Sequence, residues 1–152
     1  VPPEEGDDDM GATSIGGQIP EWDASAGGIQ VHNIDLGIVE GGAADPRPAW
    51  LDIVNDTMGK AYALRIYACD GYGVFGPVPM NFVDAKGGQA DGANNVIRSG
   101  WRAWVQLPKG TVSLSIARMG IGADGKAVAP SASAPAYRGS IGYAIERGAV
   151  TR

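Results

Sequence analysis

The chain is poor in the groups that carry out chemistry. It holds one cysteine, Cys69, and one histidine, His32, in 152 residues. A single thiol excludes an internal disulfide and any zinc site built on paired cysteines. One imidazole leaves general acid–base work and a Ser–His–Asp arrangement with a single candidate, and no G-x-S-x-G elbow accompanies it. Long apolar runs are missing too: nothing approaches the ~18 residues that a membrane-crossing helix needs. No segment reads as a secretory leader. Uninterrupted helical stretches are scarce, because 24 glycines and 10 prolines punctuate the chain throughout. Charged residues make up 19% and hydrophobic ones 44%, the balance of a globular chain.

What is present is alternation with a period of two. Trp101 to Met119 reads as two such runs joined by Pro108-Lys109-Gly110. Trp101, Ala103, Val105 and Leu107 share one face of the first run; Val112, Leu114 and Ile116 share one face of the second. Proline fixes φ and glycine is free to take φ > 0, so the insert predicts a short hairpin loop. Tyr62, Leu64, Ile66 and Ala68 alternate in the same way with Ala63, Arg65, Tyr67 and Cys69. Shorter strands are expected at Trp50–Val54, Met80–Val83, Val96–Arg98 and Ile141–Ile145. In Ile29–Ile38 the parity changes, with Ile29 and Val31 on one face and Ile34, Leu36 and Ile38 on the other. That pattern predicts a bulge near Asn33 or a strand crossing between sheets. Seven to eight short strands predict an all-β, antiparallel β-sandwich of jelly-roll or immunoglobulin-like type. The sandwich is expected over residues 29–152 as one domain. Residues 1–28, broken by glycine and proline, read as an acidic, extended N-terminal arm.

Charge is placed unevenly. Glu4, Glu5, Asp7, Asp8 and Asp9 crowd the first nine positions. Up to Ala85 there are fourteen acids against three bases; from Lys86 onward there are three acids against nine bases. Such asymmetry predicts attraction between the arm of one copy and the body of another.

The motifs that suggest chemistry dissolve on inspection. Gly71-Tyr72-Gly73-Val74-Phe75-Gly76 matches the G-x-G-x-x-G spacing of dinucleotide sites, but Pro77 and Pro79 follow where a helix would have to open. Nothing in the sequence brings His32 to Cys69 as a thiol–imidazole pair. Asp70-Gly71, Asp91-Gly92 and Asp124-Gly125 lack calcium-loop spacing and read as turns. Asn55-Asp56-Thr57 has the form of a glycosylation sequon and also reads as a turn. No cofactor, no metal and no enzymatic activity are expected.

The remaining signal is the outward face of the strands. Trp104 is expected there with Arg102 and Gln106, and Tyr67 beside Arg65; exposed aromatics next to arginine suit contact surfaces. Trp22 is expected to dock the distal part of the arm. Together with the acids of the arm, these are the candidate contact residues. They predict a non-catalytic structural or assembly subunit of coat, decoration or appendage type, acting as a homo-oligomer or within a larger particle, in a virion or extracellular setting. The alternative is a secreted binding module for carbohydrate, lipid headgroup or protein, including a component of a membrane-active toxin. The net charge of −5 argues against a nucleic-acid partner.

Overall fold

The computed structural model describes residues 13–23, 28–37, 49–90 and 95–147. Its strands in chain order are β1 (Thr13–Ile19), β2 (Gln30–Asp35), β3 (Ala49–Val54), β4 (Tyr62–Asp70), β5 (Phe75–Val78) and β6 (Asn81–Val83). They continue with β7 (Gln89–Ala90), β8 (Val96–Ile97), β9 (Arg102–Leu107), β10 (Thr111–Ile121), β11 (Ala127–Val128) and β12 (Ile141–Arg147). No helix occurs among the described residues. The strands form two antiparallel sheets that pack face to face, the expected β-sandwich. The first sheet runs β1-β12-β3-β9-β6-β7. In the second, β10 lies between β2 and β4, and β4 continues to β5, while β11 and β8 add short pairings to β10 and β4.

The long strands pair as nested partners: β1 with β12, β2 with β10, β3 with β9, and β4 with β5. That is one long hairpin wound over two sheets, the jelly-roll of the two expected arrangements. The core is the set of residues that alternation sends inward. Leu51, Ile53, Ala103, Val105, Ile141 and Ile145 come from the first sheet; Ile34, Leu64, Ile66, Leu114 and Ile116 come from the second. Each large side chain buried here contributes roughly 1.5–3 kcal/mol.

Three local expectations need correction. Trp101–Met119 is not a hairpin. The turn is present: Thr111 donates its N–H to Pro108 O at 3.2 Å and its hydroxyl to the same oxygen at 2.6 Å, while Gly110 takes φ +87°. Yet β9 pairs with β3 and β6 and β10 pairs with β2 and β4, so the turn carries the chain across the core from one sheet to the other. Alternation dictates which face a strand buries and is silent about which neighbour takes its edge. A bulge between Thr111 and Ser113 also removes Val112 from the inward row, which begins at Leu114.

The second correction concerns β2, which pairs residue for residue with β10 and has no bulge at Asn33. The parity change is absorbed by exposure instead: Ile29 and Val31 face solvent at 52% and 51%. The third concerns the arm. Residues 13–19, expected to be without secondary structure, form β1 and pair along their whole length with β12. Gly16-Gly17 hides this strand from pattern reading. A Cβ at Gly17 would stand 2.5 Å from the Tyr143 hydroxyl, because the Tyr143 ring lies over the glycine. The acids Glu4 to Asp9 lie outside the described residues.

Two buried polar residues hold the sandwich together at one end. Arg118 of β10 donates through Nη1 to Pro20 O at 2.5 Å and through Nη2 to Gly139 O at 2.8 Å and to Tyr137 O. Burial holds its guanidinium below the usual arginine range. Tyr62 stands close by, donating its hydroxyl to Val54 O at 2.9 Å; burial, followed by the Asp56 carboxylate, pushes its phenol above the usual tyrosine range. Asn55, at the end of β3, is 0% exposed. Its amide donates to Lys60 O at 2.9 Å and Ile97 O at 2.7 Å, and its oxygen accepts from Thr57 N and Oγ1.

Candidate interaction surfaces

The expected contact residues fall on two opposite faces, because β9 and β4 belong to different sheets. On the outer face of the first sheet, β9 presents Arg102, Trp104 and Gln106 opposite the inward Ala103, Val105 and Leu107. Trp104 is half-buried between Asp52 of β3 and Asn81 of β6, its partners in register. Gln106 is exposed opposite Trp50, and Arg102 is exposed opposite Val54 and Val83. Trp50 is also half-buried and outward, with Glu146 of β12 on its other side. This second tryptophan was not among the expected contact residues. The signal was available, since Trp50 alternates with the inward Ala49, Leu51 and Ile53. The face is therefore a shallow sheet surface carrying two indoles and the carboxylates Asp52 and Glu146. Beside it a groove of about 610 Å³ runs past Gln18, Asp52, Asp56 and Gly142.

On the outer face of the second sheet, Arg65 is exposed and Tyr67 half-buried. Tyr67 packs against a small apolar cluster of Ala63, Val96, Ala117 and Met119, which Ile121 and Ala127 help to cover. Between Tyr67 and the β11 region lies a groove of about 480 Å³, lined by Arg65, Tyr67, Pro77, Asn95 and Lys126 among others. Trp22 belongs to neither face. It is half-buried, donates its backbone N–H to Arg138 O at 3.1 Å, and lines a cleft with Pro130 and Pro135.

A third surface was missed altogether. The G-x-G-x-x-G segment is the turn between β4 and β5, where Tyr72 is 93%, Val74 63% and Phe75 56% exposed. Asp70 Oδ1 accepts from the N–H groups of Tyr72 at 2.9 Å and Val74 at 3.0 Å, and Gly73 takes φ +81°. The turn is thus pinned by its own aspartate while its apolar side chains point to solvent. Asp124 closes its turn in the same manner, accepting from Lys126 N at 3.1 Å. Both carboxylates are engaged in backbone geometry, as the turn reading expects.

No protein-family model matches the chain, and no curated protein matches it.

The catalytic candidates stand apart. His32 is on β2 opposite the inward Ile116, with its ring 6.1 Å from that of Tyr143. Cys69 is on β4 opposite Ser113, on the outward side of the same sheet, and is buried there with Sγ 3.5 Å from Asp70 O. The two side chains therefore point away from each other through the sheet. Among the described residues no three of His, Cys, Asp and Glu gather as a metal site would require, and no helix is long and apolar enough to cross a membrane.

Proposed function

We propose that the protein is a non-catalytic assembly subunit, working through surface contacts with further copies of itself or with a larger particle. The observation that carries this reading is the β4–β5 turn. Tyr72, Val74 and Phe75 form an exposed apolar tip on a turn held by Asp70, and exposed apolar clusters of this kind mark surfaces that a partner covers. The edge strand β2, with Val31 outward and Ile29 exposed just before it, adds a second surface of the same character. The acidic arm of one copy docks on a neighbour and adds an electrostatic contact. Jelly-roll sandwiches serve in capsids and in lectins, so the fold alone decides nothing between contact and ligand. Light scattering of the full chain tests the reading. The expected result is an oligomer that shifts to smaller species when residues 1–9 are deleted and when salt is raised to about 0.5 M, where charge attraction is screened beyond ~4 Å. A monomer at every concentration overturns it.

A second reading is favoured by a specific observation, the presence of Trp50 and Trp104 on one sheet face, with Asp52 opposite Trp104. Indoles that stack on sugar rings, next to carboxylates that accept from their hydroxyls, make a carbohydrate platform. Under this reading, titration with soluble oligosaccharides shifts tryptophan fluorescence, and Trp104→Ala or Trp50→Ala lowers affinity at least tenfold. A response unaltered by both substitutions removes it.

A further inference from the structure

We infer that the groove on the outer face of the second sheet, between Arg65, Tyr67 and Lys126, is the receptor for the acidic arm of a second copy. The inference rests on the assembly reading and gives its electrostatic contact a place.

The groove is basic by composition. Arg65 projects from β4 and Lys126 from the turn before β11; both are exposed, and no acid lines the groove among the described residues. Among the described residues neither cation forms an ion pair. Tyr67 forms an aromatic wall, Asn95 adds an amide, and Pro77 of β5 adds an apolar rim. At about 480 Å³ the groove holds a few side chains of an extended segment, not a folded domain.

The arm supplies the complement. Residues 1–12 contain Glu4, Glu5, Asp7, Asp8 and Asp9 and no base, with Pro2, Pro3 and Met10 as apolar flanks. Two guanidinium or ammonium groups spaced along a groove suit successive carboxylates of an extended peptide. The topology favours a neighbour as donor. The arm leads into β1 at the edge of the first sheet, at the end where Thr13 pairs with Arg147, whereas the groove opens on the outer side of the second sheet. Twelve extended residues span at most about 40 Å, enough to cross to an adjacent molecule. An arm-into-groove contact joins two different patches, so it repeats head to tail and gives a ring or a filament.

Charge reversal in the full chain tests this. R65E/K126E changes two exposed residues, and D7K/D8K/D9K changes the arm. Light scattering is expected to show wild type assembled, and each variant alone dissociated, with at least a tenfold rise in the concentration needed for assembly. The chain carrying both sets of reversals is expected to assemble again, which a mere loss of folding would not allow. Dissociation by D7K/D8K/D9K with wild-type mass for R65E/K126E overturns the groove and leaves the assembly reading standing. A double set that stays dissociated also overturns the groove. A wild-type monomer overturns both.

Discussion

Arg118→Met is expected to destabilise the protein by about 3–5 kcal/mol, the loss of three hydrogen bonds from a charged donor at roughly 1.5–3 kcal/mol each, reduced by relaxation. Arg118 is 3% exposed, and its guanidinium faces three backbone carbonyls, those of Pro20, Tyr137 and Gly139. Methionine fills similar volume but donates nothing, so three partly buried acceptors lose their donor, at roughly 1–3 kcal/mol each before relaxation and access of water. The loss is local in origin and wide in effect. Pro20 directly follows β1, and Gly139 nearly adjoins β12, so the same side chain fastens both strands of the β1–β12 pair to the opposite sheet. Arg118→Lys keeps the charge but offers no planar fork to reach three acceptors, and is expected to cost about half as much. Thermal melting reads the outcome: at roughly 2–4 °C per kcal/mol for a chain of this size, Arg118→Met lowers the midpoint by about 6–20 °C. A midpoint within 2 °C of wild type would show that the clamp does not hold.

Asn55→Ala is the second substitution with a large expected effect, on the order of 3 kcal/mol. The carboxamide is fully enclosed and uses both donors and its acceptor: Lys60 O and Ile97 O on one side, Thr57 N and Oγ1 on the other. It ties the end of β3 to the turn that follows and to β8, forty-two residues away in sequence. Alanine leaves the carbonyl of Ile97 without that donor in a buried setting and removes the acceptor that shapes the Thr57 turn. Asn55→Asp is expected to be no better, since a carboxylate cannot donate to either carbonyl. Urea titration of both variants measures the loss, and a midpoint equal to wild type for either would contradict it. The same bonds bear on the sequon. Glycan attachment consumes an amide proton and needs room that the site lacks, so folded protein from a secretory host is expected to carry no sugar at Asn55, as its intact mass will report.

Much of this was legible in the sequence and some of it was not, for reasons that particular residues make plain. Leu64, Ile66, Val105, Leu107, Leu114 and Ile116 announced two-faced strands, and all are core residues. What alternation withheld was pairing: Pro108-Lys109-Gly110 reads the same whether it closes a hairpin or arches across a core. β1 was hidden because Gly16-Gly17 interrupts the pattern, and the reason for Gly17 is a ring contributed by Tyr143, from the far end of the chain. The role of Arg118 was not legible, because its three acceptors lie outside the strands, where no periodic signal marks them. The candidate surfaces were half legible. Arg102, Trp104 and Gln106 face outward as expected, and so do Arg65 and Tyr67, but sequence parity says nothing about which sheet a strand joins. The two groups therefore stand back to back. Tyr72, Val74 and Phe75 sit among glycines, where no alternation marks which way a side chain points.

The nested pairing also governs the order in which the molecule can be made. β1 is synthesised early yet waits for β12, and β2 waits for β10, so the outermost pairs form only after nearly all of the intervening chain exists. Among the described strands, β4–β5, β6–β7 and β10–β11 join sequence neighbours and can zip early. Closing long loops before their contacts repay the lost entropy makes such chains slow, folding in milliseconds to seconds. On the ribosome the amino-terminal strand therefore emerges long before its partner.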